Sequence, residues 1–374
     1  MIQKVECYKC LKVLAENLVL PKGLCVYCAA DESDRLPDSP KQKAEVQKKQ
    51  VQESLNIKAE QELASRILSR KRLLPFVEKF NPDYQAGWVH KDICKRLEKF
   101  SDDVANKKSP RLMLFMPPRH GKSTLASIAF PAWHIGRHPH QEFISCSYSG
   151  SLSMTFSRKV RQLLRDPLYK KVFEKTRLDA DSQSIESWLT TSGGGYVAAG
   201  VGGGITGKGA HVLVIDDPVK NREDAESENN RESTWDWYTS TAYTRLAPGG
   251  GILVILTRWH DDDLAGKLLM AGKDGADQWE VVKYPAIAEH DEEFRKVGEP
   301  LHEDRYDTHS LDMIRKAIGP RDWTALYQQN PVSDDGDYFT REMIQYYERD
   351  EIEQDQLRFY CAWDLAIGQK DRND

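Results

Sequence analysis

The chain has no apolar run of membrane-spanning length, and its start, MIQKVECYKC, lacks the apolar core of a signal peptide. These absences argue against an integral membrane protein and a secreted precursor, so a soluble intracellular protein is expected. An excess of one charge is also missing. Fifty-three Lys and Arg against 58 Asp and Glu leave a net charge of −5, which supplies no global field for nucleic acid, although local patches govern such contacts. Cysteine is scarce beyond residue 28: only Cys94, Cys146 and Cys361 lie there, isolated, and they read as structural or indifferent thiols. No internal repeat is visible. A further absence falls inside a motif. RLMLFMPPRHGKSTLAS (111–127) looks like a phosphate loop between a strand and a helix, but its first glycine is lacking and Met116 stands there.

What is present supports a large folded body. Forty per cent of the 374 residues are hydrophobic and nine are tryptophan. That suffices for one large domain with smaller pieces or for two domains. Four of the seven cysteines form Cys7-x-x-Cys10 and Cys25-x-x-Cys28 within a module at 1–30. This spacing predicts a structural zinc site of four thiolates; no βαβ pattern surrounds either pair as a redox motif would require. Residues 31–72 read as a linker and a long polar helix whose apolar positions (Val51, Leu55, Leu63, Ile67) are sparse in its first half.

From about 110 to 335 short apolar runs alternate with helical periods. RLMLFMP, EFISCSYS, HVLVIDDP and GGILVILTRWH read as strands, STLASIAFPAWHIG and SLSMTFSRKVRQLLRD as helices. The alternation predicts an α/β domain over 73–335 with a mainly parallel sheet covered on both faces. The glycine-rich 192–210 reads as a loop or hairpin. Residues 111–171 are locally basic: Arg111, Arg119, Lys122, Arg137, Arg158, Lys159, Arg161, Arg165, Lys170 and Lys171 face only Glu142 and Asp166. That is either a solvated face or an anion-binding one.

The chemistry follows from three strand ends. A phosphate loop needs inward backbone N–H groups, a lysine for the terminal phosphates and a hydroxyl for Mg²⁺. Gly121, Lys122, Ser123 and Thr124 supply them after a strand and before a helix, with Ser123 in register for the metal; Arg119 adds a second cation. HVLVIDDP ends a buried strand in Asp216, suited to the metal, and Asp217, suited to orient or deprotonate water. ILVILTRWHDDDL presents Thr257 and Arg258 at a strand's carboxyl end, where open parallel sheets bind ligands. Thr257 suits the attacking water or a phosphate oxygen; Arg258 suits a phosphate or the acids at 261–263. His120 and His260 are read as packing and loop polarity.

PPRHGKST, LVIDDP, YTRLAPGG, LVILTRWHDDDL and ALYQQNP, in that order, make residues 75–374 resemble the large terminase subunit of tailed bacteriophages and prophages. The resemblance implies a P-loop ATPase of the additional-strand (ASCE) type, followed over 336–374 by the beginning of an RNase H-like nuclease domain. It implies ATP and Mg²⁺ as cofactors beside the zinc, an arginine before GK (Arg119), an adenine contact upstream (Gln85, with His90 an alternative) and a coupling role for Thr257. Aspartate at 217 departs from the family's usual glutamate. A trans arginine finger is implied, with Arg245, Arg158 and Arg161 as candidates. Asp364 in FYCAWDL resembles the first nuclease metal ligand; the other acids fall beyond residue 374, so no DNA cleavage is expected from this chain. The implied partners are double-stranded DNA, the small terminase subunit, the portal of the procapsid and further copies in a ring, in the host bacterial cytoplasm with no membrane contact. The rival readings are a helicase-like ATPase and a non-catalytic zinc-containing DNA or procapsid adaptor.

Overall fold

The computed structural model describes residues 4–6, 13–15 and 40–331. The four zinc-type cysteines Cys7, Cys10, Cys25 and Cys28, and the nuclease-type Asp364, lie outside the described residues. Two short strands, β1 (Lys4–Glu6) and β2 (Val13–Ala15), pair antiparallel.

The expected long helix is α1 (Pro40–Lys71). Without an apolar stripe to bury, it leaves Val51, Leu55, Ile57, Leu63 and Ile67 exposed. Its last turn is tied down: Trp133 Nε1 donates to the Ser69 carbonyl at 3.1 Å and Arg70 to the Val172 carbonyl at 2.7 Å. Helices α2 (Leu73–Phe80) and α3 (Trp88–Ala105) follow. Then come β3 (Arg111–Phe115), a π-helical turn at Thr124–Ala129 running into α4 (Phe130–Arg137), β4 (Glu142–Ser147), α5 (Gly150–Arg165) and α6 (Pro167–Val172). Strands β5 (Leu178–Gln183), β6 (Ser187–Thr190), β7 (Gly195–Gly200) and β8 (Ala210–Asp216) precede α7 (Arg222–Glu226) and α8 (Glu228–Trp237). The order closes with β9 (Leu246–Leu256), α9 (Leu264–Lys273), β10 (Glu280–Lys283) and α10 (Thr308–Asp322).

The π turn has a local cause. Pro131 brings no N–H, and its ring opposes the carbonyl four residues back. The wider turn, in which the Phe130 N–H reaches the Leu125 carbonyl, accommodates it without ending the helix.

Eight strands form one sheet in the order β10-β3-β9-β8-β4-β7-β6-β5. From β10 to β7 all neighbours run parallel; β6 and β5 add antiparallel pairs. The central strands are buried on both faces, so their residues alternate between two cores. Leu112, Leu114, Val212, Val214, Leu253 and Ile255 face α2 to α6. Met113, Phe115, Leu213, Ile215, Ile252 and Val254 face Trp237, Tyr238, Leu264 and Leu268. This double burial is why the strands read as unbroken apolar runs.

The structure refines the reading of the glycine-rich 192–210. Its first part is β7, which forms a hairpin with β6 and also pairs with β4 in the sheet. Gly195 and Gly200 are needed there for contact: an added Cβ would come within 2.5 Å of the Trp188 carbonyl and 2.8 Å of the Gly150 amide, respectively. Among the described residues no helix is long and apolar enough to cross a membrane.

Candidate functional site

The loop leaving β3 begins inside the sheet. The Met116 N–H bonds to the Leu256 carbonyl at 3.3 Å, and the Met116 side chain is fully buried in the core. Position 116, one residue past β3 and tied to β9, thus needs its side chain, and glycine there would empty a packed site. The sharp turn comes later, where Arg119 (φ 64°) and Gly121 (φ 92°) adopt the left-handed conformation. Gly121 is favoured by its positive φ, and an added Cβ would also lie a tight 3.3 Å from His90 Nε2.

Three strand ends meet beside this loop. Lys122, only 7% exposed, donates to Thr257 Oγ1 at 2.5 Å and pairs with Asp217 Oδ2 at 3.0 Å. The Thr257 hydroxyl donates to the Met116 carbonyl at 3.2 Å, and the Thr257 N–H donates to Asp217 Oδ1 at 2.9 Å. Asp217 itself has a φ of 46°, a strained value for a non-glycine residue, held by its N–H on the Ile255 carbonyl and by its carbonyl on the Tyr148 N–H. The residues that the sequence separated as loop, acid and coupling threonine are therefore one hydrogen-bonded group.

Asp216 is buried beneath them. Its Oδ2 accepts from Ser127 Oγ at 2.5 Å, while its Oδ1 has no partner among the described residues. Burial pushes its carboxyl up to about 7; the Asp217 charge adds to this, and Lys122, Ser127 and Ser123 oppose it. A buried carboxylate with one unpartnered oxygen beside the Ser123 hydroxyl is a hard oxygen donor set, the kind that suits Mg²⁺. Ser127 was not singled out from the sequence; its only signal is its place one helical turn after Ser123.

The remaining candidates divide. Gly121, Lys122, Ser123, Thr124, Arg119, Asp217 and Gln85 line one cavity of about 910 Å³, together with Asn81, Tyr84, His90, Tyr148 and Arg305. The Arg119 side chain is exposed and makes no hydrogen bond or ion pair among the described residues, so it does not brace the loop. Arg258 does not reach the cavity. It is buried, bonds Asp263 Oδ2 at 2.6 Å and the carbonyls of His260 and Asp261, and so holds the residue that caps α9 through the Gly266 N–H. Of its two readings, the structure selects the acid pair. His90 anchors the loop from behind: its Nδ1 accepts from the Gly87 N–H at 3.0 Å, so its Nε2–H donates to the His120 carbonyl at 3.1 Å. Burial pushes both His90 and His120 down to about 4, which keeps them neutral.

The basic stretch also divides. Arg111 pairs with Asp277 at 2.5 Å, and Arg137 pairs with Asp102 at 2.8 Å and lies over Trp133. Arg158, Lys159 and Arg165 stay exposed on α5. Beside them burial, then the Arg165 and Arg158 charges, lowers the Arg161 guanidinium below its ordinary value. Arg245 lies at the entry to β9, and its guanidinium donates to the Thr244 hydroxyl.

Strand, left-handed loop, buried lysine and strand-end acids gather at the carboxyl edge of a mainly parallel sheet and define an α/β protein with a candidate site there. The chain belongs to the large terminase subunits: residues 113–346 match the family described as terminase large subunit, T4likevirus-type, N-terminal. No curated protein sequence matches it significantly. Among solved structures it is similar to the HK97 bacteriophage large terminase (14% identity, TM-score 0.45, 70% of this chain and 55% of that one). It is also similar to the large terminase of the thermophilic bacteriophage D6E in complex with ADP (9% identity, TM-score 0.38, 64% and 53%) and with ATP-gamma-S (9%, 0.31, 59% and 47%). The chain spans about half the length of these solved terminases.

Proposed function

We propose that this chain is an Mg²⁺-dependent ATPase that moves double-stranded phage DNA into procapsids. The observation that carries the reading is that Lys122 and Asp217 line one cavity and are bonded there to Thr257, with Asp216 buried next to Asp217 at the end of the adjacent strand. The sheet order supports the additional-strand type, since β9 lies between the loop strand β3 and the acid strand β8.

In this reading the loop amides, Lys122 and Arg119 bind the phosphates, with Gln85 toward the base. Ser123 and Asp216 hold Mg²⁺, which when bound neutralises charge on the phosphate oxygens. Lys122 is the shared element. The ammonium that bonds Asp217 and Thr257 is also the group a terminal phosphate attracts, so phosphate competes with Asp217 for it. Drawing Lys122 away leaves the Asp217 carboxylate free to accept a proton from water. Thr257 loses the same ammonium while its N–H still holds Asp217, so the end of β9 registers whether a terminal phosphate is present. The exposed arginines and lysine of α5 suit a surface that grips phosphates without reading bases. The Cys7, Cys10, Cys25 and Cys28 module is assigned a closed structural Zn²⁺. The small terminase subunit, the portal and further copies of the chain are its partners in this reading.

The test is ATP hydrolysis by the chain and by Lys122→Ala, alone, with double-stranded DNA and with procapsids. Loss of the lysine should lower turnover at least about 100-fold, the scale of a lost phosphate-stabilising charge. Absence of Lys122-dependent turnover under all three conditions would remove the proposal.

A further inference from the structure

Three residues of the segment 300–307, which no motif marks, line the same cavity as the phosphate loop: His302, Asp304 and Arg305. His302 lines the cavity and is only 8% exposed, yet neither Nδ1 nor Nε2 has a partner among the described residues. It is not loosely held. Its ring packs edge-on against His90 with centroids 4.8 Å apart, and its carbonyl accepts from the Arg305 and Tyr306 N–H groups at 3.1 and 2.9 Å. Tyr306 in turn lies 4.9 Å from the His120 ring in the phosphate loop. Arg305, whose guanidinium lies 5.9 Å from the centre of the Tyr306 ring, lines the same cavity. Across from it, Tyr84 OH is buried and also without a partner, next to Gln85.

An imidazole that serves packing normally bonds at least one nitrogen, as His90 and His134 do here. His302 instead offers both nitrogens, and burial lowers its proton affinity, so at neutral pH it presents one donor and one acceptor. The two nitrogens point in diverging directions, so one of them at a time can meet an adenine edge: its N–H a ring-nitrogen acceptor, or its lone pair the amino group. Resting on the reading of this cavity as a nucleotide site, we propose that His302 is a base-recognition residue that hydrogen-bonds the adenine edge through one ring nitrogen, in concert with Gln85. The base would then be held between the segment before β3 and a loop more than 180 residues later in the chain.

The experiment is calorimetric titration of the full chain with ATP, GTP and inorganic tripolyphosphate, each with Mg²⁺, for the native chain, His302→Ala, His302→Asn and Lys122→Ala. His302→Ala should weaken ATP about tenfold, the effect of one lost hydrogen bond, and pull the ATP-to-GTP preference toward one. Its affinity for tripolyphosphate should stay within about twofold, because that ligand has no base. His302→Asn, which keeps a donor and an acceptor, should recover part of the ATP affinity. Unchanged ATP affinity and preference in His302→Ala, or equal weakening of ATP and tripolyphosphate, overturns the assignment. If the alanine variant does not fold, the ATP-to-GTP ratio of His302→Asn decides: an unchanged ratio overturns it. Lys122→Ala separates the two levels. Weakening of both ligands leaves the nucleotide site standing whatever His302 does; no effect on either removes the site and the His302 role with it.

Discussion

Replacing Asp216 by asparagine should stabilise the fold increasingly as pH rises. The carboxyl is fully buried and its value stands near 7 against 3.8 for a free side chain. A carboxyl raised in this way favours folding when protonated. That contribution is fully present below pH 3.8 and is lost as pH rises through 7, where the native chain must keep a buried charge. On these values the ionisable side chain handicaps the fold by about 2 kcal/mol at pH 5 and about 4 kcal/mol at pH 8.5. Asparagine has no such dependence. Its carbonyl can still accept from Ser127, and any cost of its extra N–H donors is the same at both pH values. Urea unfolding of both chains at pH 5 and pH 8.5, without nucleotide or Mg²⁺, should show the stability difference moving toward the variant by about 2–3 kcal/mol. The same variant should lose Mg²⁺-dependent ATP hydrolysis. A stability difference that is flat between the two pH values, or that moves toward the native chain, refutes the reasoning.

Three further outcomes are expected. Met116→Gly, which restores the usual first glycine of a phosphate loop, should cost at least about 3 kcal/mol of stability in denaturant titration and bring no gain in ATP affinity, because it removes a fully buried side chain from the core at the end of β3. Arg258→Ala should destabilise by about 3–5 kcal/mol in the same assay, since it leaves Asp263 buried and unpaired, while ATP affinity measured on the folded fraction stays within about twofold. Metal analysis of the purified chain should find about one zinc per chain, removed together with the fold of the N-terminal module by a strong chelator; less than about half an equivalent counts against the thiolate site.

Strands β3, β8 and β9 were legible because parallel strands covered on both faces are written as unbroken apolar runs. β10 was not: Glu280–Lys283 is four residues long and lies at the edge of the sheet, with three of its four side chains exposed. β7 was hidden by its own glycines, which close contact with Trp188 and Gly150 requires. The chemistry of Lys122, Ser123, Asp216, Asp217 and Thr257 was legible because each lies at the end of a core strand or in the loop that leaves it, and strand ends on one edge of a parallel sheet must gather. Their partners in the fold were not. Ser127 carries no motif, and His302, Arg305 and Tyr148 reach the cavity by tertiary packing that leaves no periodic trace. Arg258 was ambiguous from the sequence, because an arginine five residues before an aspartate fits either a ligand or a loop pair; burial decided it.

Both halves of the site are measured from β9. Met116 hangs on the Leu256 carbonyl, Asp217 on the Ile255 carbonyl, and Thr257 bonds to both. At the other end the pairing of β9 with β8 is irregular between Ala210 and Val212. A residue inserted in the APGG entry of β9 can be taken up in that irregular turn. A residue inserted between Leu253 and Thr257 would reverse the facing of every side chain after it and separate lysine from acid. Length variation among natural or engineered forms of this domain should therefore collect at the amino-terminal edge of the sheet, and the last four residues of β9 should tolerate substitution before they tolerate any change in number.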